Sequence, residues 1–107
     1  MNFLTEIKYI GLPKLTEDQI AGVCQVGELA ARKVILSRIP KRAILDLNIT
    51  VEAVVEESLI FTVDVDVTLS PFYKVDVDSI VEEAVDEAFK AIEERLRELS
   101  CNAGEEA

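Results

Sequence analysis

The sequence predicts an α+β fold. It is a two-layer sandwich in which an antiparallel β-hairpin, with or without an extra N-terminal strand, carries two long helices on one face, in the order (β)αββα. Two observations predict it. From Ala43 to Ser70 the chain alternates apolar and polar residues and turns back once. On both sides of that stretch, apolar residues recur at helical spacing behind helix-start signals.

The alternation comes first. Odd positions from Ala43 to Val55 are apolar, as are odd positions from Leu59 to Leu69; Asp46, Asn48, Thr50, Glu52, Thr62, Asp64, Asp66 and Thr68 stand between them. Successive side chains on a strand point to opposite faces, so this period gives one apolar and one acidic face. Opposed residues of an antiparallel pair share a face. Setting Val55 opposite Leu59 places Asn48 against Asp66 and Thr50 against Asp64, whereas setting Ala53 opposite Leu59 places Asp46 against Asp66. Opposed like charges destabilise, so the first register is expected. The turn at Glu56-Glu57-Ser58 lacks the glycine of tight hairpins.

Thr16 and Gln19 form a capping box, with Leu15 and Ile20 as a hydrophobic staple. Ile20, Val23, Cys24, Gly27, Ala30, Ala31, Val34 and Ile35 continue at helical spacing until Pro40. The small residues at 27, 30 and 31 predict close approach of another element. A second helix is expected from near Asp76, with Val81, Val85, Ala88, Phe89, Ile92, Leu96 and Leu99 as its stripe. Acidic residues load its first half and Lys90, Arg95 and Arg97 its second, in the sense that suits the helix dipole. Asp86–Lys90 and Glu93–Arg97 are spaced as i,i+4 pairs. Residues 102–107 are expected to fray. Residues 1–10 carry apolar residues on both parities and read as an extension or a short strand, before a break at Gly11-Leu12-Pro13.

The 107 residues are read as one domain. No apolar run approaches the ~20 residues of a membrane helix, and no basic segment precedes an apolar one at the N-terminus, so a cytoplasmic protein without a membrane partner is expected. The formal charge of −10 disfavours non-specific binding to nucleic acid. Three Asn and two Gln among many Glu, Lys and Arg give a thermophile-like bias. The chain has no histidine, which excludes Ser-His-Asp and Cys-His catalysis and His-ligated metals. Cys24, on an apolar helix face, reads as a small core residue.

Three groups of residues could act on other molecules. Asp46, Glu52, Asp64 and Asp66 could bind Mg²⁺ or Ca²⁺, which take oxygen ligands. The simpler reading is a solvated sheet face with no metal and no cofactor, because no calcium-loop glycine accompanies them. Arg32, Lys33, Arg38, Lys41 and Arg42 pack five of the eleven basic residues into eleven positions. Strand direction brings Lys41 and Arg42 towards Lys74, a basic end able to contact an anion, RNA or an acidic partner. The alternative is that the helical cations complement the dipole. Phe72 and Tyr73, in the loop from Ser70 to Lys74, are either recognition aromatics or, for Phe72, a lid on the core. Arg38, Lys41, Arg42, Phe72, Tyr73 and Lys74 are therefore the candidate partner or anion contacts.

The stretch Leu69-Ser-Pro-Phe-Tyr-Lys-Val-Asp76, the segment from Val85 to Leu99, the Leu15-Thr16-Glu17 helix opening and the hairpin together resemble a small archaeal family, a domain of unknown function. The resemblance spans roughly Gly11 to Leu99, implies an archaeal cytoplasmic source, and brings no activity with it. In architecture alone, the chain is similar to the small dimerising Pcc1 subunit of the KEOPS tRNA-modification complex. The leading functional expectation is a non-enzymatic homodimeric interaction or scaffold protein. The rival is an RNA- or anion-binding module, and a carboxylate-metal enzyme stands third.

Overall fold

The computed structural model describes residues 2–10, 15–55 and 59–106, with backbone alone at 2–10 and 100–106. The elements in chain order are β1 (Asn2–Ile10), α1 (Glu17–Arg38), a short 3₁₀ turn (Lys41–Ala43), β2 (Ile44–Val55), β3 (Leu59–Leu69) and α2 (Val77–Glu106). The architecture is the expected α+β one, and the leading strand is present. The sheet order is β1-β3-β2, both pairings antiparallel, so the last strand in sequence is central in space. The break at Gly11-Leu12-Pro13 and the turn at Glu56-Glu57-Ser58 lie outside the described residues.

The hairpin adopts the register that keeps carboxylates apart: Val55 opposes Leu59, Asn48 opposes Asp66 and Thr50 opposes Asp64. On β3 the period is clean. Leu59, Phe61, Val63, Val65 and Val67 are buried, while the alternate residues are half-buried on the outer face. β2 departs from it near its start and at its end. The register shifts between Ile44 and Asp46, so that Ile44 pairs with Leu69 and packs against the core, and Leu45 is left 64% exposed. A bulge inserts one unpaired residue, which resets the parity behind it. The expectation that every odd residue from Ala43 faces inward therefore fails at Leu45, and also at Val55 at the strand end, which is 55% exposed.

α1 begins as its capping box dictates. The Gln19 amide donates to Thr16 Oγ1 at 3.1 Å, and the Thr16 amide donates to Gln19 Oε1 at 2.9 Å. Its buried residues are Val23, Gly27, Ala31 and Ile35. α2 starts behind Asp76, whose carboxylate accepts from the Ser79 amide and, at 2.8 Å, from the Ser79 hydroxyl. Helical backbone continues to Glu106, through the stretch expected to fray. Lys90 pairs with Glu87, three positions before it, at 3.4 Å rather than with Asp86, four positions before it.

α1 packs on β2 and α2, while α2 also packs on β3 and β1. Both helices and the odd face of β3 share one core, which holds Phe61, Phe89, Ile35 and Ile92. Three strands at ~4.8 Å supply about 14 Å of width. Two helices side by side need ~16–20 Å. The third strand narrows the mismatch without removing it, and β1 and β2 both present an open edge.

Candidate interaction site

The 3₁₀ turn and the loop after β3 meet at one end of the sheet. The Ser70 amide donates to the Ala43 carbonyl at 2.8 Å, and the Tyr73 amide donates to the Ser70 carbonyl at 3.0 Å. These bonds bring the exposed Lys41 and Arg42 to the same end as Phe72, Tyr73 and Lys74, as strand direction predicted. Phe72 is 92% exposed, so it does not cover the core. Tyr73 takes that place, half-buried against the core. The reason is local: Phe72 follows Pro71 at the outer tip of a turn, where its amide is held by Ser70 Oγ at 3.3 Å. Arg38 stands apart from the group. Its guanidinium donates to Glu83 Oε1 on α2 at 2.7 Å, a pair exposed enough to contribute ~1 kcal/mol or less. Arg32 is bound to Glu28 at 3.0 Å. The basic end thus reduces to Lys41, Arg42 and Lys74, at the same end of the sheet as one exposed aromatic ring.

A second group of exposed residues is one that sequence reasoning did not single out. Seven large apolar side chains are exposed among the described residues. Leu45, Val54 and Val55 lie on the edge strand β2, and Leu29 and Leu36 lie two turns apart on α1, the helix that packs on β2. Val54 is 47% exposed. The apolar residues at even positions of the hairpin, Val54 and Ile60, were the available signal.

The acidic residues lie as the register requires. Asp46 and Glu52 are exposed on β2, while Asp64 and Asp66 are half-buried on the central strand. Asn48 Nδ2 donates to Asp46 Oδ2 at 2.8 Å. Asp66 Oδ1 is closed off from solvent, and no hydrogen bond from a described residue reaches it. Among the described residues, no three Asp, Glu or Cys side chains gather in a group that could hold a metal ion. Cys24 is a free thiol. Partial burial pushes its pKa up, and the Glu52 charge adds to the effect, so it stays protonated and is a weak nucleophile at neutral pH. No described helix is long and apolar enough to cross a membrane.

The family model for a protein of unknown function, DUF3194, matches residues 12–95. The chain belongs to the DUF3194 family. This DUF3194 chain is 36% identical over 104 residues to an uncharacterised protein of Pyrococcus furiosus, covering 97% of this chain and 94% of that one. It is 37% identical over 103 residues to an uncharacterised protein of Thermococcus kodakarensis, covering 94% and 92%. Its fold is similar to a crystal structure from Thermococcus onnurineus NA1, with TM-score 0.80, 26% identity and coverage of 95% and 99%. It is also similar to the solution structure of a hypothetical protein of Methanothermobacter thermautotrophicus, with TM-score 0.70, 28% identity and coverage of 82% and 96%. The archaeal family expected from the Leu69–Asp76 stretch and the hairpin is the family found.

Proposed function

We propose that this DUF3194 protein is a non-enzymatic homodimeric interaction module. The observation that carries the reading is the open edge of β2, twelve residues long and bearing the exposed Leu45, Val54 and Val55. A long edge strand with apolar residues is a template for pairing. Joining two copies removes one open edge from each, and C₂ symmetry is the commonest way to do so. The chain without histidine, and a thiol held protonated, support a role without chemistry. Light scattering is expected to give twice the 11.9 kDa chain mass at high micromolar concentration. A particle of 11.9 kDa persisting there would refute the dimer.

The exposed Phe72, at the same end of the sheet as Lys41, Arg42 and Lys74, favours a second reading, contact with RNA or another anion at that end. Stacking on an aromatic ring with flanking cations is how single strands are held. A filter-binding titration with tRNA tests it. Arg42→Glu/Lys74→Glu is expected to abolish a salt-sensitive association of the parent, the slope reporting about one phosphate per cation. A parent that binds no tRNA at low salt eliminates the reading.

A further inference from the structure

We infer that β2 is the seam of the dimer, and that two copies pair antiparallel with the two-fold axis at Thr50. The inference rests on the dimeric reading above and adds the strand and the register. β3 is flanked on both sides, so only β1 and β2 offer an edge. β2 is an edge that carries exposed Leu45, Val54 and Val55, and its own residues complement one another across a two-fold axis.

The register follows from charge. With the helices of both copies on one face, opposed residues must have the same parity, so the axis passes through a residue. The midpoint of β2 (Ile44–Val55) falls between Ile49 and Thr50, and an axis at either pairs the most backbone. An axis at Ile49 sets Asp46 of one copy against Glu52 of the other. Opposed like charges destabilise a pair, and this register has two such contacts. An axis at Thr50 sets Asn48 against Glu52, an amide donor against a carboxylate, and Asp46 against Val54. On the core face it sets Ile49 against Val51 and Leu47 against Ala53. Exposed Leu45 of one copy reaches the level of exposed Val55 of the other. The strand is self-complementary about Thr50 and not about its neighbour.

Disulfide trapping tests this on the full chain. In a Cys24→Ala/Cys101→Ala background, three single variants are compared: Asn48→Cys, Thr50→Cys and Glu52→Cys. All three sites are exposed, and circular dichroism checks that each variant folds. Opposed Cβ atoms lie ~4.5–5.5 Å apart, close to disulfide geometry, and a residue on the axis opposes itself. Under mild oxidation Thr50→Cys is expected to form covalent dimers about tenfold faster than either other variant, whose thiols lie two or more strand steps from their own copies. Mixing Asn48→Cys with Glu52→Cys chains is expected to trap the heterologous pair. If the parent is dimeric by light scattering but Thr50→Cys does not outpace the others, the seam is overturned and the dimer stands. If the parent is monomeric, both are overturned.

Discussion

Phe61→Ala is expected to lower folding stability by about 3–5 kcal/mol. Phe61 is fully buried near the start of the central strand β3, among the largest of the buried side chains, and Ala53 opposes it across the hairpin. Truncation removes the apolar area and leaves a cavity that a methyl group opposite cannot fill. The strands on either side are held by their ladders, so collapse into the space is limited. Set against the ~5–15 kcal/mol of a typical domain, the loss threatens the fold itself. Urea unfolding measures it as a lower midpoint at unchanged slope. Phe72→Ala serves as the contrast: at 92% exposure it should stay within about 0.5 kcal/mol of the parent. A Phe61→Ala loss below ~1 kcal/mol would place Phe61 outside the core and overturn the face assignment of β3.

Gly27→Leu should cost about 1–3 kcal/mol, through overpacking rather than a cavity. A Cβ on Gly27 would stand 2.9 Å from Ile92 Cδ1 and Cγ1, and 3.6 Å from the Ala88 carbonyl oxygen. Ordinary carbon contacts begin near 3.5 Å. The rest of a leucine side chain must then go into α2 or force the helices apart. Glycine inside a helix costs about 1 kcal/mol relative to alanine, and the close approach of α1 to α2 at this point offsets it. Thermal melting decides the matter. A variant melting at or above the parent temperature would mean that Gly27 does not face α2.

These features differ in how plainly the residues announce them. The β2–β3 register was legible because Asp46, Asp64 and Asp66 permit one pairing and penalise the next. The start of α1 was legible because Thr16 and Gln19 are three positions apart, and capping needs nothing from the rest of the fold. The approach of Lys41 and Arg42 to Lys74 was legible because antiparallel strands return to where they began. The bulge at Leu45 was not, since Ile44 and Leu45 are both apolar and no glycine marks the step. The partner of Arg38 was not, because Glu83 lies 45 residues away and only helix packing brings it near. β1 was ambiguous because its apolar residues fall on both parities, and its partner strand lies far along the chain.

The central position of β3 also sets the order in which contacts become affordable in chain entropy. Val55 meets Leu59 across residues 56–58, whereas Ile10 meets Leu59 and Asn2 meets Val67 only after α1 and β2 have been spanned. Closing a loop about ten times longer costs roughly 2 kcal/mol more before any contact offsets it. The hairpin is local and can form on its own account. β1 adds to a template that must already exist, and the edge it pairs with is the one the hairpin leaves open. The matched family segment, residues 12–95, begins after β1 and contains that template with all of α1 and the first part of α2. β1 is thus made well before the strand it pairs with, and its pairing waits until α1, β2 and β3 have followed it.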